Sequence, residues 1–378
     1  MAQPATPPID AHRDRRTVLV LQGGGALGSY QAGVFEGLAE FGLTPDWVAG
    51  VSIGAINASL IVGNAPGHRV DKLRAFWSRI TAPVALWPGV NLEAVRQAEQ
   101  RLGALSAVLF GQPGFFRPRP PLEWLSHTPP VSFYDTSHLR ATLEELVDFD
   151  RINAGPTRLS VGAVQVETGN MIYFDNTTTK LRPEHVMASG ALPPGLSAVE
   201  IDGSAYWDGG LVSNTPLQYV TSDMPRRDSL VFQVDLFPAR GKRPTNLDEV
   251  AERDKDIRYS SRTRTGTDAS RDVHNQRRAV ASFLDRLPAE LQDDPAVKHL
   301  RAFSCPAQFD VAHLIYHPTE PQGAQKDFQF DRTTMERRWQ KGLGDARHTL
   351  TVAPWKHPAP PEAGFRTFDV LSPARKQL

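Results

Sequence analysis

The sequence predicts an α/β protein: three layers around a mostly parallel central sheet, followed by a helical C-terminal extension. Three observations carry this. From residue 17 to about 238, short apolar runs alternate with segments of helical length, the pattern of doubly buried strands joined by crossover helices. Two late hairpin signals, Thr168-Gly169-Asn170 and Asp202-Gly203-Ser204, add antiparallel strands. From about Asn246 the composition turns charged, with apolar residues at helical spacing.

In chain order, Thr17 to Leu21 suits a strand buried on both faces. Ser29 to Phe41 carries Val34, Leu38 and Phe41 at helical spacing and stops at Gly42. Asp46 to Val51 predicts a second buried strand. Ile53 to Val62 predicts an apolar helix, and Arg69 to Ile80 a more amphipathic one. Arg158 to Val166 pairs with Met171 to Phe174, Ala198 to Ile201 with Ala205 to Trp207, and Leu230 to Leu236 is a last buried strand. Between Pro83 and Tyr134 the pattern loosens, and prolines cluster among Leu86, Trp87, Leu109, Phe110, Phe115, Phe116 and Trp124. That stretch reads as an insertion over the sheet's carboxyl edge, either a lid or acyl-pocket wall or a packed loop-rich subdomain. Asp272 to Leu287 and Asp331 to Leu343 predict amphipathic helices. Arg258, Arg262, Arg264, Arg271, Arg277 and Arg278 alternate with acids, as on a solvated, ion-paired face. The expected organisation is a flexible N-terminus (1–16), a main domain (17–245) with its insertion (83–134), a helical extension (246–352) and a Pro-rich tail (353–378).

Composition narrows the partners. At 378 residues and 40% hydrophobic, the chain can bury a sizeable core. Its 42 basic and 42 acidic residues balance, which argues against a nucleic acid held through its phosphates. A single cysteine, Cys305, excludes an internal disulfide framework, favours a reducing compartment and reads as a small buried apolar group. No signal-peptide pattern opens the sequence, and no run approaches the ~18 apolar residues of a membrane span. The expectation is a cytoplasmic protein whose membrane contact, if it makes any, is peripheral at the inner membrane surface. Oligomeric state is not legible.

Two glycine-rich turns carry the chemistry. Gly23-Gly24-Gly25-Ala26-Leu27-Gly28 follows the first strand and precedes a helix. The same spacing serves a dinucleotide's pyrophosphate, but that reading wants an acid at the end of the second strand to hold ribose hydroxyls. Here Asp46 begins that strand and Gly50-Val51-Ser52 ends it. In the acyl-transfer reading, Gly24, Gly25 and Ala26 present consecutive N–H groups to an oxyanion, and the following helix adds its positive end. A close strand–helix turn without a ligand also fits. The second turn, Gly50-Val51-Ser52-Ile53-Gly54, is G-x-S-x-G between strand and helix, which projects a nucleophilic hydroxyl from a tight turn. A helix-capping serine is the plainer alternative.

A serine nucleophile needs a proton acceptor. The candidate histidines after it (His127, His138, His185, His274, His313, His317) lack a recognisable strand-end loop context. Asp208, in Tyr206-Trp207-Asp208-Gly209-Gly210, ends a hairpin strand among aromatic residues, and exclusion from water would raise its basicity. Asp202 reads as a hairpin-turn residue, and Asp235 as one that orders a loop.

These residues resemble the patatin-like phospholipase family, known for a Gly-Gly-Gly-x-x-Gly oxyanion loop, a G-x-S-x-G elbow and an Asp-Gly-Gly or Asp-Gly-Ala base motif. Gly23 to Gly28, Gly50 to Gly54 and Asp208-Gly209-Gly210 stand here in that order. Gly28-Ser-Tyr-Gln-Ala-Gly33, Ala188-Ser-Gly-Ala-Leu-Pro-Pro194 and Asn214-Thr-Pro216 match as well, and the resemblance covers about residues 17 to 238. It implies a patatin-like sandwich, a Ser52–Asp208 dyad, hydrolysis of lipid acyl esters through an acyl-enzyme, and neither metal nor cofactor. Leu27 departs from the pattern, since many members place Arg or Lys there, and head-group preference is accordingly open. The region after about 245 is similar to an extension of some bacterial members. A soluble esterase or thioesterase acting on a smaller acyl compound, or a non-catalytic acyl-lipid-binding protein, would keep the same fold.

Overall fold

Strand β1 (Arg16–Leu21) shows why three layers form. Its side chains alternate, so Val18 and Val20 join one buried cluster while Leu19 and Leu21 join another on the opposite face. The computed structural model describes residues 15–81, 111–318, 322–360 and 363–372. β1 pairs in parallel with β2 (Trp47–Val51) on one edge and β9 (Ser229–Asp235) on the other. β2 continues in parallel to β5 (Arg158–Gln165). β5 then takes two antiparallel partners, β6 (Met171–Asp175) and β8 (Ser204–Asp208), and β8 forms a hairpin with β7 (Val199–Ile201).

The helices cover both faces. α1 (Ser29–Glu40), α2 (Ile53–Val62) and α3 (Arg69–Ile80) follow the first two strands. Buried Leu73, Phe76, Trp77 and Ile80 give α3 a single apolar stripe, whereas α2 is buried on every side because it lies between the sheet and α3. α4 (Ser137–Leu146), α5 (Phe149–Ala154), α6 (Pro183–Ser189) and α7 (Leu217–Ser222) complete the region up to β9.

The C-terminal region is helical as expected and also more than that. α8 (Leu247–Leu284) starts where the Asn246 side chain accepts the Glu249 N–H at 3.0 Å, and α9 (Pro295–Phe303) and α10 (Arg332–Val352) follow. Between them lies β10 (Phe309–Ile315), and the Pro-rich tail supplies β11 (Phe365–Phe368). Both strands extend the sheet in parallel, in the order β11-β10-β9-β1-β2-β5. Neither strand is apparent from local pattern, because Asp310 interrupts β10 and β11 has only four residues. Asp310 is tolerated in the core through ion pairs with Arg15 (2.6 Å) and Arg366 (2.7 Å). The expected boundary at 245 therefore does not divide the core. α10 lies directly on α1, and Gly33 and Gly342 allow the approach, since a Cβ on either would strike the other helix's backbone.

Arg15 and Arg16, assigned by sequence to a flexible N-terminus, are held by Asp310 and Asp223. In the insertion, residues 111–134 are described. Two short antiparallel strands, β3 (Arg117–Pro118) and β4 (Tyr134–Asp135), frame an arm containing the 3-10 turn Pro121–Leu125. Leu86, Trp87, Leu109 and Phe110 lie outside the described residues. Arg258 pairs with Asp254 and Arg271 with Asp268, in keeping with an ion-paired helix face.

Candidate active site

Sheet register brings Ser52 and Asp208 together. β2 pairs with β5 up to Val51↔Gly162, where the chain turns away at Ser52. The next β5 residue, Ala163, pairs instead with Asp208 of β8. Because β6 occupies the opposite edge of β5 over the same residues, β8 takes the edge that β2 has just left. Asp208 thus ends its strand where the serine turn begins, and both residues line one cavity.

The turn itself is strained. Ser52 has φ 56° and ψ −126°, a region that costs a non-glycine residue about 1–3 kcal/mol. Gly54 makes it possible, since a Cβ there would collide with the Leu21 carbonyl oxygen, and one on Gly50 would strike that of Gly54. The Ser52 side chain does not cap α2, which removes the capping explanation of the motif. Its N–H donates to Ser189 Oγ at 3.0 Å, and Ser189 in turn donates to the Gly162 carbonyl at 2.6 Å. Ser189 sits in the Ala188-Ser-Gly segment already noted by resemblance, but its role in bracing the turn was not legible.

Burial tunes Asp208. Loss of hydration pushes its carboxyl up to about 6, against the opposing pull of the nearby Ser52 hydroxyl and of the Gly210 N–H, which donates to it at 2.7 Å. Gly209 can follow because a Cβ there would strike the Gly162 carbonyl oxygen.

The first glycine loop closes the site. The Gly23 N–H donates to the Asn214 carbonyl at 3.1 Å, and Asn214 Nδ2 donates back to the Gly23 carbonyl at 2.9 Å. A Cβ on Gly23 would also press on that of Ser52. Gly24 and Gly25 line the cavity in front of Ser52, with Gly25 at φ +54°. Their N–H groups have no protein acceptor among the described residues. Ala26 and Gly28 lie behind them in the 3-10 turn Gly25–Gly28, packed into the core. Of the three proposed donors, Ala26 is therefore the one that does not line the cavity.

The cavity encloses about 360 Å³ and has mostly apolar walls. One wall comes from the insertion (Phe115, Phe116, Tyr134), one from the Leu192–Leu196 loop, and one from the C-terminal region (Tyr259, Asp327, Phe328, Phe330). Phe330 meets Phe115 at 5.9 Å and Phe116 at 6.4 Å, so the insertion and the C-terminal region close over the serine together. Lys326, fully buried and paired with Asp256 (2.5 Å) and Glu252 (3.3 Å), seats the turn that carries Asp327 and Phe328. Nothing in the local sequence marks these residues, because they reach the cavity only through the fold.

A family model described as patatin-like phospholipase matches residues 19–221, more than half of the chain. The chain belongs to the patatin-like phospholipase family. A second model, described as patatin phospholipase, matches residues 257–362 of this patatin-like protein and so covers most of the C-terminal region. No curated protein matches it. Among solved structures, VipD from Legionella pneumophila is similar at 15% identity and a TM-score of 0.38, over 89% of this chain and 67% of that one. ExoU in its complex with SpcU, from the type III secretion system of Pseudomonas aeruginosa, is similar at 17% identity and 0.24, over 76% and 58%. The type III effector ExoU alone gives 15% and 0.24, over 76% and 61%.

The other candidates of this patatin-like protein lie elsewhere. None of the six histidines lines the Ser52 cavity. His185 is buried with Nδ1 accepting the Arg182 N–H at 2.9 Å, and burial lowers its pKa. His274 contacts the Thr221 carbonyl at 3.0 Å, and burial lowers it to about 4. Asp202, at φ +50°, is a hairpin-turn residue, and Asp235 accepts from Gln233 at 2.8 Å. Asp46 receives the Thr17 N–H at 2.7 Å just before the amino end of β2. Leu27 is core. Among the described residues no helix is long and apolar enough to cross a membrane.

Proposed function

We propose that this patatin-like protein hydrolyses acyl ester bonds of lipids through a Ser52–Asp208 dyad and an acyl-enzyme. The observation that carries the reading is the buried Asp208 carboxylate, which lines the same cavity as the strained elbow serine. The Ser52 Oγ attacks the ester carbonyl carbon as Asp208 takes its proton. A carboxyl near 6 is mostly ionised at neutral pH yet more basic than an ordinary aspartate, which suits a general base. The N–H groups of Gly24 and Gly25 stabilise the oxyanion, an effect worth about 3–4 kcal/mol for one such donor. The tetrahedral species collapses, and the departing alkoxide of the alcohol or lysolipid takes the proton from Asp208. Water then attacks the acyl-enzyme, loses its proton to Asp208, and the fatty acid leaves as Ser52 Oγ is reprotonated. Phe115, Phe116, Phe328 and Phe330 supply an apolar wall for the acyl chain.

A fluorophosphonate probe tests the nucleophile. The native chain should label on Ser52 and release fatty acid from phosphatidylcholine and from long-chain p-nitrophenyl esters, while Ser52→Ala does neither. Absence of labelling would favour a non-catalytic acyl-lipid-binding protein. Turnover of p-nitrophenyl acetate alone would favour an esterase for small acyl compounds.

A further inference from the structure

The arm between β3 and β4 inverts the usual burial order. Polar Ser132 is buried, while its neighbours Val131 and Phe133 are 85% and 55% exposed. On the other side of the arm, Leu122 and Leu125 are 77% and 82% exposed and Trp124 41%. The Trp124 and Phe133 rings lie 5.9 Å apart, so the two sides meet in one apolar tip. An exposed apolar cluster of this kind marks an interaction surface.

Two observations say what covers it. The arm is fastened to the wall of the Ser52 cavity: the Phe133 N–H donates to the Pro194 carbonyl (3.2 Å) and the Tyr134 N–H to that of Gly195 (2.9 Å). Ser132 Oγ and Ser197 Oγ add a hydrogen bond at 2.6 Å. Tyr134, next to Phe133, lines that cavity. The tip therefore stands beside the space an acyl chain would enter. The arm's charges are also internally matched, Arg117 with Asp135 at 2.9 Å and Arg119 with Glu123 at 3.1 Å. An anionic surface finds no excess charge here, whereas the uncharged boundary of a bilayer fits.

We propose that residues 121–133 form a lipid-surface anchor, inserting Leu122, Leu125, Val131 and Phe133 into the headgroup–acyl boundary of a zwitterionic bilayer. The inference rests on the reading of the substrate as a lipid ester. Trp124 would sit at the level where indole rings favour the interface, and insertion would reach the roughly 5–10 Å depth typical of interfacial segments. The anchor holds the cavity against its substrate.

Sedimentation with sucrose-loaded phosphatidylcholine vesicles tests the anchor, using Ser52→Ala protein so that the vesicles stay intact. Ser52→Ala should bind, and adding Leu122→Asp and Leu125→Asp should weaken binding by about tenfold per leucine. Raising salt should change little, because no net charge is engaged. In the chain with Ser52 intact, the leucine substitutions should leave hydrolysis of a soluble short-chain ester unchanged and depress hydrolysis of vesicle phospholipid. Equal vesicle binding with and without the substitutions would overturn the proposal, as would no binding, or binding only to anionic vesicles at low salt. A dimer in sedimentation velocity that the leucine substitutions dissociate would assign the tip to a second copy instead, and likewise overturn it. If the native chain binds vesicles through the arm but hydrolyses no ester, the enzymatic reading falls and the anchor stands.

Discussion

Replacing Asp208 by asparagine separates its chemical role from its structural cost. Asparagine keeps the shape, accepts the Gly210 N–H and can donate to Ser52, but carries no charge and accepts no proton. Loss of a positioned general base costs about 10²–10⁴ in rate, so hydrolysis should fall by that factor. Stability should move the other way. The folded carboxyl titrates near 6 against an ordinary 3.8, so burial disfavours its ionised form. Stability is therefore fullest below the unfolded value and declines as pH rises through the folded one. The penalty is under about 1 kcal/mol at pH 4 and grows to about 3 kcal/mol at pH 8. Asparagine is free of it at every pH. Urea unfolding of Asp208→Asn should show a gain over the native chain that grows by about 2 kcal/mol between pH 4 and pH 8. A variant that is less stable at pH 8, or whose advantage does not change with pH, would refute the burial argument. Substantial residual hydrolysis would refute the assignment of the base.

The same carboxyl sets the acid limb of activity. Only its ionised form accepts the serine proton, so kcat/KM for a soluble ester should be level above pH 7 and fall about tenfold per unit below about 6. A limb centred near 4 would point to a solvated carboxylate. Lys326→Met would leave Glu252 and Asp256 buried without their partner, a loss of about 3–5 kcal/mol seen in thermal and urea unfolding. Adding Glu252→Gln and Asp256→Asn should recover much of it, and no loss in the single variant would mean that the pair is not what seats the Lys326–Phe328 turn.

Local chemistry made some elements readable. α2 and α3 lie within the expected residues because apolar spacing and Gly63 or Thr81 bound them over a few turns. β1 and β2 differ from expectation by one residue at the amino end, and β9 is shifted by one residue. The elbow was legible because a serine at positive φ between strand and helix needs Gly50 and Gly54 as its neighbours. β10 and β11 were not, because parallel pairing is made across long crossovers and Asp310 hides the strand until Arg15 and Arg366 neutralise it. α8 is longer than expected for a related reason. Its first half carries scattered charges, and Asn246 at the cap and the buried pairs of Glu252 and Asp256 hold it.

By itself, the sequence determined the family and the two glycine turns, since each depends on residues adjacent in the chain. Tertiary structure alone decided that Ser52 and Asp208 meet, because strand register places a residue against one 156 positions earlier (208 − 52). It also decided that Gly24 and Gly25 face the cavity while Ala26 does not, and that Phe328 and Phe330 from the far end of the chain wall the site. Burial completes the site by raising Asp208 toward 6, and burial is a property of what surrounds a residue and not of the residue.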